Sequence, residues 1–129
     1  MQIFTYNDFL KDKGILTFEQ AEKIYEDLIS SVNIHDSEFL EYWQRLIELC
    51  AQYAEARGKF LTIPLAEKDS ANKSRTRIHD SIIIQLKIIK RYAEKIGNDT
   101  SWFDKFHDDR KRMGDFANYL NYVYAVNAR

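Results

Sequence analysis

At 129 residues, with 45% hydrophobic and 30% charged residues, the chain suits one domain with its own core, is too short for two, and holds too much apolar surface to stay disordered. The net charge of −1 sets no overall bias toward anionic or cationic partners. The single cysteine excludes an intrachain disulfide, Asn7 and Asp8 interrupt what a signal peptide would need as an apolar run, and no stretch approaches the ~20 apolar residues of a membrane span, so a cytoplasmic protein without membrane contact is expected.

Four glycines and one proline leave few breaks, which favours long helices. Asn7 can cap a short first helix over 8–13, ended by Gly14. Thr17-Phe18-Glu19-Gln20 has the form of a capping box and opens a helix to about Ser31, with Phe18, Ala21, Tyr25, Leu28, Ile29 and Val32 on one side. Asp36 or Ser37 caps the next helix. Its stripe is Phe39, Trp43, Leu46, Ile47, Cys50, Tyr53 and Ala54, and Gly58 is its left-handed stop. The period lapses over 59–69 around Pro64, where Phe60 to Ile63 reads as a brief extended piece.

A further helix is predicted from near Ser70 to just before Gly97, with Ile78, Ile82, Leu86, Ile89, Ala93 and Ile96 as its buried stripe. Isoleucines at 83, 84 and 88 widen that arc and make it the most enclosed helix expected. Thr100 or Ser101 caps the last helix, in which Trp102, Phe103, Phe106, Met113, Phe116, Ala117, Leu120, Val123 and Tyr124 keep one phase. Gly114 interrupts it at a cost of about 1 kcal/mol. The pattern predicts an all-α, four-helix up-and-down bundle with a short extra N-terminal helix, residues 1–129 forming one domain.

Polar residues fall inside the apolar arcs. At ~100° per residue, Gln85 and Arg75 lie within the Ile82 stripe and His79 on its edge, while Asp109 lies in the middle of the Trp102 arc. A buried carboxylate needs a cation or several donors, so Asp109 is expected within hydrogen-bonding reach of Arg75 or His79, mostly buried, with Gln85 nearby. Such a cluster either fixes helix register or forms a site, in which Arg75, His79, Gln85 and Asp109 would bind and His79, Arg75 and Asp109 would carry any chemistry. No metal and no cofactor are expected, since no phosphate loop, zinc-ligand set or nucleophile elbow is present. Lone Cys50 reads as a small hydrophobe.

Each histidine precedes an aspartate, His35-Asp36, His79-Asp80 and His107-Asp108, which resembles the metal-binding pattern of HD-superfamily phosphohydrolases. The stretch Arg75-Thr76-Arg77-Ile78-His79-Asp80-Ser81 resembles HEPN ribonucleases, in which an Arg and a His on one helix cleave RNA without metal, although the gap of three residues here is shorter than the family's four or more. His79-Asp80 before an apolar helix also resembles the phosphoacceptor helix of sensor histidine kinases, with Ile82 and Ile83 where a Lys and a Gly would follow. Arg75-x-Arg77-Ile78-His79-Asp80, followed by Arg112-x-Gly114-Asp115-Phe116-Ala117, resembles short uncharacterised bacterial helical proteins, a likeness confined to the C-terminal half and implying no activity.

The chain is charge-divided. Residues 1–70 carry 7 Lys/Arg and 13 Asp/Glu, and residues 71–129 carry 12 and 7, which places acidic helices beside basic ones or builds a basic face for an anionic partner. Lys87, Lys90, Arg91 and Lys95 face outward on their helix. Tyr42, Tyr92, Tyr119 and Tyr122 fall at or beyond the stripe edges, and exposed tyrosines favour interfaces. The leading expectation is therefore a non-enzymatic interaction module, a homodimer or an adaptor for another protein. The rival is a metal-independent ribonuclease or a nucleic-acid-binding protein using Arg75 and His79.

Overall fold

The computed structural model describes residues 15–127, and their side chains except those of 57–62 and 124–127. The short helix expected over 8–13, with Asn7 and Gly14, lies outside the described residues. Among the described residues the chain is all-α, with no strand.

Helix α1 (Phe18–Ser30) opens on the expected capping box: Thr17 Oγ1 accepts the Gln20 amide at 3.1 Å, and Gln20 Oε1 accepts the Thr17 amide at 3.0 Å. Helix α2 (Ser37–Thr62) is capped by Asp36, whose carboxyl accepts the Glu38 amide. It runs straight through Gly58, which is not a stop. Pro64 ends it instead, because the residue before a proline is pushed out of the helical region, and Ile63 has ψ 159°. The expected extended piece from Phe60 thus shrinks to Ile63. One 3-10 turn (Leu65–Glu67) leads into α3 (Lys68–Lys95). Gly97, at φ 86°, closes α3 with its amide on the Glu94 carbonyl while the Asn98 amide reaches the Ala93 carbonyl.

The predicted last helix is two helices, α4 (Ser101–Asp104) and α5 (Arg110–Asn127). His107 and Asp108 between them take left-handed backbone angles, φ 51° and 53°. Histidine and aspartate tolerate that region better than most residues, which is why a chain without glycine here can still turn. The apolar residues on either side keep one phase only on a helical wheel that ignores this turn.

Helices α2 and α3 form an antiparallel pair. Asp36 bonds Tyr92, Glu38 bonds Lys95, and Tyr53 stacks on His79, so rising numbers on one helix meet falling numbers on the other. Helix α5 packs against both, and α1 packs on α5 and α4. The most enclosed helix is α5, not α3. Every residue from Met113 to Asn121 is buried, whereas Ile84 of α3 is 58% exposed. The two neighbouring helices plus α1 enclose α5 all round, so its apolar content need not be confined to a stripe. Tyr92 and Tyr119 are buried as well, and Tyr42 and Tyr122 are half-buried, so these four offer little exposed aromatic surface for a partner. Cys50 is fully buried, which pushes its thiol pKa up and leaves it a small hydrophobe. No helix among the described residues is long and apolar enough to cross a membrane.

Left-handed backbone costs roughly 1–2 kcal/mol for a residue with a Cβ. His107→Gly should therefore raise the unfolding free energy by roughly 0.5–1 kcal/mol, the steric relief less the added chain entropy. Urea unfolding followed by tryptophan fluorescence measures it. An unchanged midpoint would show that the turn stores no strain.

Candidate functional site

Three helices meet around a cleft of about 330 Å³. Helix α2 contributes Tyr53; α3 contributes Arg75, Thr76 and His79; α5 contributes Arg110, Lys111, Gly114 and Asp115. Arg75 and His79 share the cleft because they sit four residues apart on α3, on one face.

His79 is half-buried and built into the wall. Its Nε2 lies 2.7 Å from the Arg110 carbonyl oxygen, which can only accept, so Nε2 carries the proton. Its ring lies 5.3 Å from that of Tyr53, tilted by 34°. Burial, the largest influence, lowers its pKa; the bond to the Arg110 carbonyl and the charge of Asp80 oppose this, and the charges of Arg110 and Arg75 reinforce it. The ring is therefore held neutral at pH 7.

This contact dictates Gly114. A Cβ there would lie 3.2 Å from both His79 Nε2 and the Tyr53 hydroxyl, so a side chain would make these neighbours shift by a few tenths of an ångström. The glycine read from sequence as an interruption is a point of close approach.

The cations around the cleft differ in their engagement. Arg110 forms an ion pair with Asp80, and Arg75 donates to Asn72 at 2.7 Å. The Lys111 ammonium bonds no acceptor among the described residues and is exposed. Asp115 is only 4% exposed, and its Oδ2 accepts the Ile15 and Leu16 amides at 2.7 and 3.0 Å, fastening the chain that leads into α1 onto α5.

The expected cluster is thus partly assembled. Arg75 and His79 come together, but Asp109 does not join them. It stands at the head of α5, where its carboxyl accepts the Lys111 amide at 2.9 Å and Arg112 at 2.7 Å. The turn at His107–Asp108 shifts it out of the phase assumed for one continuous helix, and it is half-buried. Its loss would cost a helix cap, about 1 kcal/mol, and strand no buried cation. Gln85 is buried as expected, yet it serves elsewhere, donating to the Tyr42 carbonyl at 3.0 Å. Arg110, Lys111 and Asp115 were missed because the same false phase hid the face they share. The run Asp108-Asp109-Arg110-Lys111-Arg112, acid at a helix start followed by bases, was the available signal. Among the described residues no three His, Cys, Asp or Glu gather as a metal site; His35 precedes α2 and His107 lies in the turn, away from His79 in α3.

Comparison of the chain with protein-family models, curated proteins and solved structures returned no match.

Two outcomes follow from the wall. Gly114→Ala should destabilise the protein by about 1 kcal/mol, because His79 is pinned and cannot give way. In a background carrying both His79→Ala and Tyr53→Phe, which removes both atoms the Cβ would meet, the same change should stabilise by up to about 1 kcal/mol, the helix-propensity gain. A double-mutant cycle by chemical unfolding measures the reversal, and equal effects in both backgrounds would refute the contact. The second outcome is a pH dependence. The folded pKa of His79 lies below its unfolded value of about 6.5, so the stability from its neutral ring is present above that pH and is lost as pH falls through the folded pKa. Unfolding free energies measured from pH 7.5 down to 5 should therefore decline less steeply in His79→Gln.

Proposed function

We propose that this chain is a non-enzymatic binding module whose Arg75–Arg110–Lys111 cleft takes a phosphate group, as presented by a nucleic-acid strand. One observation carries the reading: three cationic side chains from two helices line a single open cleft, and one of them, Lys111, is committed to no protein acceptor among the described residues. Arginine supplies a fork that matches phosphate geometry, and lysine supplies a point charge. The basic balance of residues 71–129 supplies the long-range attraction that an overall charge of −1 conceals. The scaffold under this reading is one cytoplasmic domain with the four longer helices as an up-and-down bundle.

Binding is the simpler reading because the Nε2 proton of His79 is spent on the Arg110 carbonyl as part of the wall, so any proton transfer would fall to Nδ1 alone. The ring shapes the wall and sets the distance between α3 and α5.

Fluorescence anisotropy with a labelled single-stranded RNA tests the reading. Affinity should fall between about 50 and 200 mM salt, with a log–log slope of about −0.7 per phosphate contacted. Lys111→Ala and Arg75→Gln should each weaken binding roughly three- to tenfold, while Lys87→Ala, on the outward face of α3, should leave it unchanged. Absence of binding at low salt, or equal loss from all three variants, would overturn it.

A further inference from the structure

His79 stands in the cleft wall among charges from two helices. Arg75 and Asp80 accompany it on α3, Arg110, Lys111 and Asp115 come from α5, and Tyr53 of α2 covers one side of the ring. Its two ring nitrogens differ. Nε2 donates to the Arg110 carbonyl at 2.7 Å, whereas Nδ1 makes no hydrogen bond among the described residues and is not sealed from water. Such a ring can take a second proton on Nδ1 and keep its Nε2 bond, because both nitrogens of an imidazolium are donors. Proton uptake therefore changes the charge of the wall and leaves its geometry in place. Burial is the main opposition to uptake, and the charges of Arg110 and Arg75 add to it. An anion seated between those cations would offset their influence on the ring.

Resting on the phosphate reading above, we propose that binding of a strand phosphate in this cleft is coupled to protonation of His79, whose imidazolium becomes a fourth cation of the site beside Arg75, Arg110 and Lys111. One proton passes from solvent to Nδ1, and no bond to the ring is broken. Coupling of this kind is reciprocal: an anion that raises the proton affinity of the ring is itself held more tightly once the proton is there. In the free protein the His79 pKa lies below its unfolded value of about 6.5, and the bound anion moves it upward. Affinity therefore climbs as pH falls through the pKa of the bound state, and levels off below the pKa of the free state.

Fluorescence anisotropy of the full chain with a labelled oligouridylate tests the coupling, because neither the phosphodiesters nor the bases of that probe titrate near neutral pH. At constant ionic strength, affinity should rise about three- to tenfold as pH falls from about 7.5 to about 5.5. His79→Gln retains an N–H for the Arg110 carbonyl and cannot take up the proton, so its profile should be flat. His35→Gln and His107→Asn, at positions that do not line the cleft, should keep the wild-type rise. Asparagine is chosen for position 107 because it tolerates the left-handed backbone there. Proton NMR of the wild-type chain supplies a second readout: oligouridylate should move the midpoint of the His79 ring titration upward, with the resonance assigned by eliminating those absent from the other two variants. That shift decides the matter should His79→Gln not fold. Binding with a flat wild-type profile, or a rise that His79→Gln keeps, would overturn the coupling and leave the phosphate reading standing. Absence of binding at every pH would overturn both.

Discussion

Burial of α5 on every side is the constraint from which the rest of the structure follows. Nine consecutive residues, Met113 to Asn121, are withdrawn from solvent, and Asp115, Asn118 and Asn121 are among them. Polar groups in that position must be satisfied from neighbouring chain. Asn121 donates to the Cys50 carbonyl at 3.0 Å, tying α5 to α2. Asp115 takes two amides from Ile15 and Leu16, tying α5 to the chain before α1. Asp115 and Asn121 therefore act as fasteners between a central helix and its surroundings.

The same closeness makes the cleft. Gly114 lets α5 lie directly against His79 of α3 and Tyr53 of α2, and beside it His79 bridges to the Arg110 carbonyl. Beside that contact the first turn of α5 lines the cleft with Arg110 and Lys111. The cleft is thus the unfilled end of a tightly filled interface. Its walls are rigid because they are helix, and its chemistry is set by which residues the first turn of α5 carries.

The opposite end of the α2–α3 pair is held by a different polar set. Tyr92 donates to Asp36 at 2.5 Å while Asp36 also caps α2, and Lys95 and Tyr42 both donate to Glu38. The bond from Tyr92 is the main reason the Asp36 pKa is lowered, and the same bond pushes the Tyr92 phenol up to about 12. Nearby, Trp102 donates to Ser31 Oγ at 3.0 Å and Asn98 donates to the Ser31 carbonyl at 2.8 Å, so the end of α1 is bound to the segment around α4. These networks join elements that are distant in sequence and leave the Arg75–His79 end free of such cross-ties to Asp36 or Glu38.

What the sequence by itself determined is what depends on near neighbours. The capping box at Thr17 and Gln20, the cap at Asp36, the stop at Gly97 and the buried position of Gln85 all rest on contacts or periodicities within a few residues. The pairing of Arg75 with His79 was legible for the same reason. Only the tertiary structure decided the rest. Whether His107 and Asp108 turn left-handed depends on packing on both sides of the turn, since Phe106 and Phe116 stack edge to face across it with centroids 5.3 Å apart. That one reversal moved Asp109 from an expected core position to a helix cap and brought Asp115 to the cleft. A helical wheel carries its phase forward residue by residue, so a single turn that keeps the apolar rhythm corrupts every assignment beyond it.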